Sequence, residues 1–114
     1  MGENEKAARL LTAARLAGRR IGMLPADCRP ADEAAAYAVQ AAAHELLTGA
    51  GRGALIGWKI GCTTPVMQRF LDIHNPCAGG MLAGGLHRGH AELRHQQRPP
   101  TAPRRQSGFA RSNA

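Results

Sequence analysis

A short run of large apolar residues with glycines on both sides constrains the fold of this chain more than any other feature. The run is ALIGWKI, residues 54–60; GAGRG precedes it and Gly61 follows it. Its length and its leucine, isoleucine and tryptophan content predict a β-strand. Because a strand without a neighbour leaves its backbone N–H and C=O groups unpaired, the fold around this run has to supply neighbours for it.

Two helices are predicted ahead of this strand. Apolar residues at three- and four-residue spacing indicate a helix over residues 4–17, with Asn4 as its cap and Gly18 at its end. A second helix is predicted from about residue 30 to residue 48, because acidic residues suit its first turn and Gly49 suits its end.

A third, shorter helix is predicted directly after the strand. Thr64 is placed to cap it, Pro65 suits its first position, and its apolar residues continue to Leu71. A turn over residues 74–76 and a segment with four glycines, residues 79–85, come next, and neither carries a periodic pattern.

Composition limits the core that these elements can build. The chain has 114 residues, enough for one small domain, and hydrophobic residues make up 44% of it. Much of that fraction is alanine and aromatic residues are only 4%, so each buried residue removes little apolar area from water. We therefore expect a small core.

The net charge of +7 is concentrated at the C-terminal end. Residues 86–114 hold six arginines and one acidic residue, and the last twenty or so add three prolines and a single large apolar residue. Such a segment buries too little area to offset its ordering entropy. We expect an ordered part over residues 1–93 and a disordered, Arg- and Pro-rich tail over residues 94–114.

Cysteine usage and the N-terminus predict a cytoplasmic chain. The three cysteines, Cys28, Cys62 and Cys77, have no spacing typical of a disulfide framework or a zinc site, and an odd number fits a reducing compartment. The first residues contain acids and lack the apolar run of a signal peptide, and no apolar run has the length of a membrane span.

Lys59 is the candidate functional residue, and the pattern around it allows two interpretations. It is an exposed lysine on an edge strand, or a lysine that faces a site and binds a carboxylate or transfers a proton. The glycines beside it allow a ligand to approach the backbone, and Thr63 and Thr64 supply hydroxyl groups next to a helix start. Cys62 and Cys77 are predicted to be packing residues and not nucleophiles.

The ordered motifs LLTAARLAGRRI, EAAAYAVQ and GWKIGCTTPVMQRFL resemble the 2-keto-4-pentenoate hydratase family, within the fumarylacetoacetate hydrolase superfamily. The similarity covers residues 7–93. It implies an α+β protein in which N-terminal helices lead into a mixed β-roll, with the rest of the roll missing from this chain. The predicted strand would then lack its sheet neighbours and present an aggregation-prone edge.

The same resemblance implies a Mg²⁺- or Mn²⁺-dependent lyase that adds water to a 2-hydroxypenta-2,4-dienoate-type substrate in aromatic meta-cleavage catabolism. Lys59 matches the family's active-site lysine, and Thr63 and Thr64 are the predicted substrate-binding residues. A homo-oligomer is compatible with the family, and neither a membrane nor nucleic acid is an expected partner.

Two departures from the family pattern limit the expected activity. Family members often carry Pro-Asp-Phe-Gly where residues 76–79 here are PCAG, and their metal-binding Gly-Val-Glu-x-Glu motif has no counterpart, since Glu92 is the last acid. Three histidines with that acid form only a loose metal-ligand pattern, at positions His87, His90, Glu92 and His95. We expect an enzyme fragment that is inactive alone and binds no metal, and a shift of reading frame near His95 is one explanation for the tail.

The alternative function is a non-catalytic basic fragment that binds nucleic acid or a partner subunit. The basic tail favours it through phosphate contacts. The tail lacks the interleaved aromatic residues of single-strand binders, which favours the enzyme-family hypothesis.

Overall fold

The computed structural model describes residues 2–92, which form three α-helices and a two-stranded sheet and so confirm the α+β class. The elements are α1 (Glu3–Ala17), α2 (Glu33–Leu47), β1 (Leu55–Gly61), α3 (Pro65–Phe70) and β2 (Cys77–Leu82). The predicted disordered tail lies outside the described residues. No helix within residues 2–92 combines the length and the apolar character needed to cross a membrane.

The first helix ends as predicted but begins differently. Gly18 has φ 66°, a left-handed conformation that costs glycine little, and the chain leaves the helix there. At the other end Gly2 occupies the cap position without any side-chain hydrogen bond, and α1 starts at Glu3. Asn4 therefore lies inside the helix, and its predicted capping role is wrong.

The second helix is shorter at its start than predicted, because Asp32 caps it. The Ala35 N–H donates to Asp32 Oδ1 over 2.8 Å, which fixes Glu33 as the first helical residue. At its C-terminal end the backbone widens into a π-helical turn over Thr48–Arg52, in which Gly51 has φ 91°.

Helices α1 and α2 pack together and enclose a core of small side chains. Ala7, Ala8, Cys28 and Val39 are its buried centre, with partly buried leucines and alanines around them. An ion pair from Lys6 to Asp27 joins α1 to the connection that follows it, and the hydrogen bond from Lys6 lowers the pKa of Asp27. The small core that the alanine-rich composition predicts is confirmed.

The strand predicted over residues 54–60 forms β1, but the expectation that it lacks a neighbour in this chain is wrong. It pairs antiparallel with β2, with Lys59 opposite Gly79, Ile60 opposite Ala78 and Gly61 opposite Cys77. β2 comes from the glycine-rich segment. Its side chains are too few and too small to alternate in hydrophobicity, and this is why pattern analysis did not find it.

Glycine at positions 79 and 80 lets neighbouring side chains pack directly on β2. A Cβ atom at Gly80 would lie 2.4 Å from His44 Cε1, and a Cβ atom at Gly79 would lie 3.2 Å from Lys59 Cε. Any larger residue at Gly80 would require the His44 and Leu55 side chains to move. The glycines remove the alternating pattern that would predict β2 from the sequence. The same glycines allow the side chains of His44 and Lys59 to pack against it.

Helix α2 covers the outer edge of β2 with two side chains. Gln40 Nε2 donates to the Ala78 carbonyl over 3.2 Å, and the Gly80 N–H donates to Gln40 Oε1 over 2.9 Å. The Ala78 N–H donates to the Tyr37 hydroxyl over 2.8 Å. Tyr37 and Gln40, one helical turn apart, therefore take the place of a third strand beside β2.

The outer edge of β1 is open in the described part of the chain. The backbone groups of Ala78 and Gly80 point toward α2 and not toward β1. In an antiparallel pair the opposite residues then also point their backbone groups outward, so the N–H and C=O groups of Ile60 and Trp58 point away from β2. Within residues 2–92, no hydrogen bond from another segment reaches these groups. The predicted exposed edge is confirmed on this side of the sheet.

The third helix forms as predicted. The Met67 N–H donates to Thr64 Oγ1 over 3.2 Å, and Pro65 occupies the first helical position. Its apolar residues do not reach the core, since Val66 and Leu71 are exposed.

Candidate functional site

Lys59 lines a cleft beside the sheet, although its side chain is exposed. The cleft has a volume of about 490 Å³ and also holds Arg15, Arg52 and His87 in its wall. Arg15 comes from the last turn of α1, Arg52 from the turn after α2, and His87 from the segment after β2. The exposure agrees with the interpretation of Lys59 as an exposed lysine on an edge strand. Its place in a concave wall agrees with the interpretation of a lysine that faces a site.

A β-bulge in β1 determines which side chains face this cleft. Leu55 pairs with Leu82 and Gly57 with Met81, so Ile56 is an extra residue without a partner in β2. In a regular strand, residues three positions apart lie on opposite faces. Because the bulge adds one residue to β1, residues three positions apart across it lie on the same face. Ile56 and Lys59 therefore both line the cleft, and Leu55 and Trp58 both line the opposite depression against α2.

One end of the cleft is formed by the close approach of two backbone segments. A Cβ atom at Gly84 would lie 2.5 Å from the Arg52 carbonyl oxygen. Gly53, with φ 89°, turns the chain there, and the Ala83 N–H donates to the Ala54 carbonyl over 2.9 Å. This contact holds the Arg52 backbone against the segment that follows β2.

The charges of the cleft favour an anion. Three of its lining residues, Arg15, Arg52 and Lys59, have basic side chains, and within residues 2–92 no aspartate or glutamate lines the cleft. A carboxylate accepts hydrogen bonds from both guanidinium and ammonium groups, and Ile56, Met81 and Leu86 provide apolar wall for an alkyl chain.

The same residues do not fit a magnesium or manganese ion. Hard divalent cations prefer carboxylate and other oxygen ligands, and the cleft offers nitrogen cations instead. Within residues 2–92 no three histidine, cysteine or acidic side chains are grouped as a metal site would require. The loose histidine pattern is only partly described: His90 Nε2 lies 3.7 Å from Glu92 Oε1, His87 lines the cleft, and His95 lies outside the described residues.

Thr63 and Thr64, the predicted substrate-binding residues, do not line the cleft with Lys59. The Thr64 hydroxyl caps α3, and Thr63 is exposed in the connection between β1 and α3. Their predicted role in substrate binding therefore gains no support from this geometry.

A second cleft of about 510 Å³ lies on the α2 side of β2, next to α3. Its polar side chains already have partners within the protein. Asp32 caps α2, Glu33 accepts from Asn75 Nδ2 over 2.8 Å, and Tyr37 and Gln40 bond to β2. We therefore place the candidate binding site at Lys59.

Sequence reasoning identified Lys59 but missed Arg15 and Arg52, and it considered His87 only as part of a loose metal-ligand pattern and not as a neighbour of Lys59. Both arginines look like ordinary charged residues in their local segments, a helix end and a glycine-rich link. Only the tertiary arrangement brings them together. The basic character of the ordered part was a weak signal for an anion site, and it was hidden by the larger charge of the tail.

No known protein family, curated protein or solved structure matches this chain. The hydratase resemblance therefore stays a prediction that rests on the motifs themselves.

Proposed function

We propose that the Lys59 cleft binds the carboxylate of a small organic acid, as part of a hydratase-like protein of the 2-keto-4-pentenoate type. The observation that carries this proposal is that Arg15, Arg52 and Lys59 line one cleft in which the described part of the chain places no acidic residue. A 2-hydroxydienoate or 2-oxo acid has a carboxylate for these cations and a short carbon chain for the apolar wall. The β-roll implied by the resemblance, and the cytoplasmic location predicted from the cysteines and the N-terminus, are parts of the same proposal.

Within this cleft, we assign Lys59 the role of carboxylate donor. Its ammonium group carries three donors on a flexible stem, and the stem lies over Gly79, which offers no side chain to displace it. The two arginines add fixed charge around the same space. Because all three groups are solvent-accessible in this chain, we expect binding of modest affinity.

Metal-dependent chemistry is not assigned to these residues, because the cleft does not fit a hard cation. Binding of the acid is therefore the property to measure. We expect no turnover of a 2-hydroxydienoate by this chain alone.

The test is a titration of the full 114-residue protein with 2-oxopentanoate, followed by NMR chemical-shift changes or calorimetry. Lys59→Met should weaken binding by about tenfold or more, the effect of losing one charge-assisted hydrogen bond. Arg20→Met removes the same charge at an exposed position outside the cleft and should leave binding unchanged. Equal affinity of the Lys59 variant and the unmodified protein, or equal binding of uncharged pentan-2-one, would contradict the proposal.

A second candidate, binding of nucleic acid phosphate, is favoured by the same cluster of cations. Binding of nucleic acid predicts a steeper loss of affinity with salt than binding of a small organic acid does. Affinity for a single-stranded oligonucleotide that makes several phosphate contacts falls by orders of magnitude between about 50 and 200 mM salt. Tight oligonucleotide binding that collapses in this range, without measurable 2-oxopentanoate binding, would favour this second candidate.

A further inference from the structure

Cys62 and Cys77 are fifteen positions apart in sequence, and both lie at the end of the sheet where β1 finishes and β2 begins. β1 ends at Gly61, which pairs with Cys77, the first residue of β2, and Cys62 is the next residue after Gly61. Cys77 Sγ lies 3.9 Å from the Gly61 carbonyl oxygen, which belongs to the peptide group that joins Gly61 to Cys62. The antiparallel register thus brings Cys77 opposite the residue that precedes Cys62, so two cysteines that sequence spacing gave no reason to pair lie at the same end of the sheet.

Two further features describe this pair. Cys62 has φ 56°, a left-handed conformation that is uncommon for a residue with a side chain, so the chain turns sharply at this cysteine. The Cys77 thiol, through a side-chain hydrogen bond, raises the pKa of Cys62, so Cys62 stays protonated to a higher pH than an ordinary thiol. Both observations come from the folded arrangement and not from the local sequence.

The three cysteines differ in access to solvent. Cys77 is exposed and lies in the wall of the second cleft, Cys62 is half-buried, and Cys28 is buried in the helical core. An oxidant in solution therefore reaches Cys77 first, Cys62 next to it, and Cys28 only after unfolding.

From this geometry we infer that Cys62 and Cys77 form a dithiol site that hydrogen peroxide oxidises reversibly to an intramolecular disulfide. The Cys77 thiolate attacks one peroxide oxygen, which breaks the O–O bond, forms a sulfenic acid and releases hydroxide. The Cys62 thiolate then attacks the Cys77 sulfur, which forms the S–S bond and expels the second oxygen as hydroxide. With the two thiol protons, both hydroxides leave as water, so two thiols and one peroxide give one disulfide and two water molecules. A reducing thiol reverses the step by exchange.

The disulfide would close a ring that contains α3. This short helix has exposed apolar residues, and within residues 2–92 it is joined to the sheet by its two connections. Oxidation therefore adds a covalent link at the end of the sheet where Gly61 already pairs with Cys77, and it encloses α3 in the ring.

Mass spectrometry of the full chain tests this inference. The reduced protein is treated with a small excess of hydrogen peroxide, the remaining thiols are alkylated, and the sample is digested with trypsin without reduction. Cleavage after Arg69 separates the two cysteines, so a disulfide is seen as a linked pair of peptides, residues 60–69 and 70–88, that is lighter by two hydrogen atoms. We expect this pair to form at low protein concentration and to disappear after treatment with dithiothreitol.

Three variants complete the experiment. Cys62→Ser and Cys77→Ser should each abolish the linked pair, and Cys28→Ala should retain it. Separate peptides with sulfinic or sulfonic acids, links to Cys28, or links between chains that grow with concentration would each overturn the inference. If one serine variant fails to fold, the peptide map of the unmodified protein still decides the outcome.

Discussion

At the scale of single residues, a steric constraint between backbone atoms lies where the turn after α2 crosses the segment after β2. Gly53 adopts φ 89°, and a Cβ there would lie 2.8 Å from the Gly84 nitrogen. Gly84 in turn faces the Arg52 carbonyl, a backbone atom that cannot move away as a side chain can. Two glycines are thus required for one crossing, which also forms an end of the Lys59 cleft.

Gly84→Ala should destabilise the fold, because its methyl group would lie 2.5 Å from the Arg52 carbonyl oxygen. We expect a loss of about 1–3 kcal/mol in the free energy of unfolding, the usual range for overpacking. Gly85→Ala is the matched control, since no atom lies within 4 Å of a Cβ at that position. Urea denaturation of both variants measures the difference, and similar midpoints for the two would contradict this account.

At the scale of secondary-structure elements, α2 has a role that its sequence pattern did not reveal. Periodicity and capping residues predicted the helix. They gave no reason for the polar residues Tyr37 and Gln40 to lie where the helix meets β2, and the hydrogen bonds to Ala78 and Gly80 explain this placement. An α-helix thereby protects one sheet edge through side-chain amide and hydroxyl groups.

Gln40→Leu tests this edge protection. Leucine has a similar size but leaves the Ala78 carbonyl and the Gly80 N–H without their side-chain partner, so we expect a loss of about 1–3 kcal/mol in the free energy of unfolding. Glu45→Leu makes a comparable change on an exposed part of the same helix and should have a much smaller effect. Hydrogen exchange adds a local readout: the Gly80 amide should lose protection in the Gln40 variant. Unchanged protection at Gly80 would show that the side chain does not hold this edge.

The elements also differ in how far the sequence predicts them, for physical reasons. The helices α1, α2 and α3 and the strand β1 carry local signals, namely apolar spacing, caps and large apolar side chains. β2 carries none, because its glycines are selected by contacts with His44 and Lys59 that form only in the folded chain. The bulge at Ile56 is likewise a feature of the pairing with β2, and Ile56 and Lys59 both line the cleft. Lys59 was therefore identifiable from its unusual setting, but its cationic neighbours were not.

At the scale of the whole molecule, the packing is one-sided. The core lies between α1 and α2, and β2 is covered by α2, but no segment within residues 2–92 pairs with the outer edge of β1, which lies beside exposed apolar residues. Trp58 is 56% exposed and Ile60 is 69% exposed, on the same face of the strand. An apolar, open strand edge is a template for pairing with another chain. We therefore expect the protein to self-associate through β1.

Ile60→Lys should reduce this self-association, because a charged residue on an edge strand opposes the approach of a second apolar edge. Met23→Lys adds the same charge at a residue that is 80% exposed in the connection after α1, far along the chain from the sheet. Sedimentation velocity over a range of concentrations compares the two variants with the unmodified protein. The edge is the contact if Ile60→Lys shifts the distribution toward monomer and Met23→Lys does not. An equal shift in both would mean that net charge controls association, and β1 would then have no special part in it.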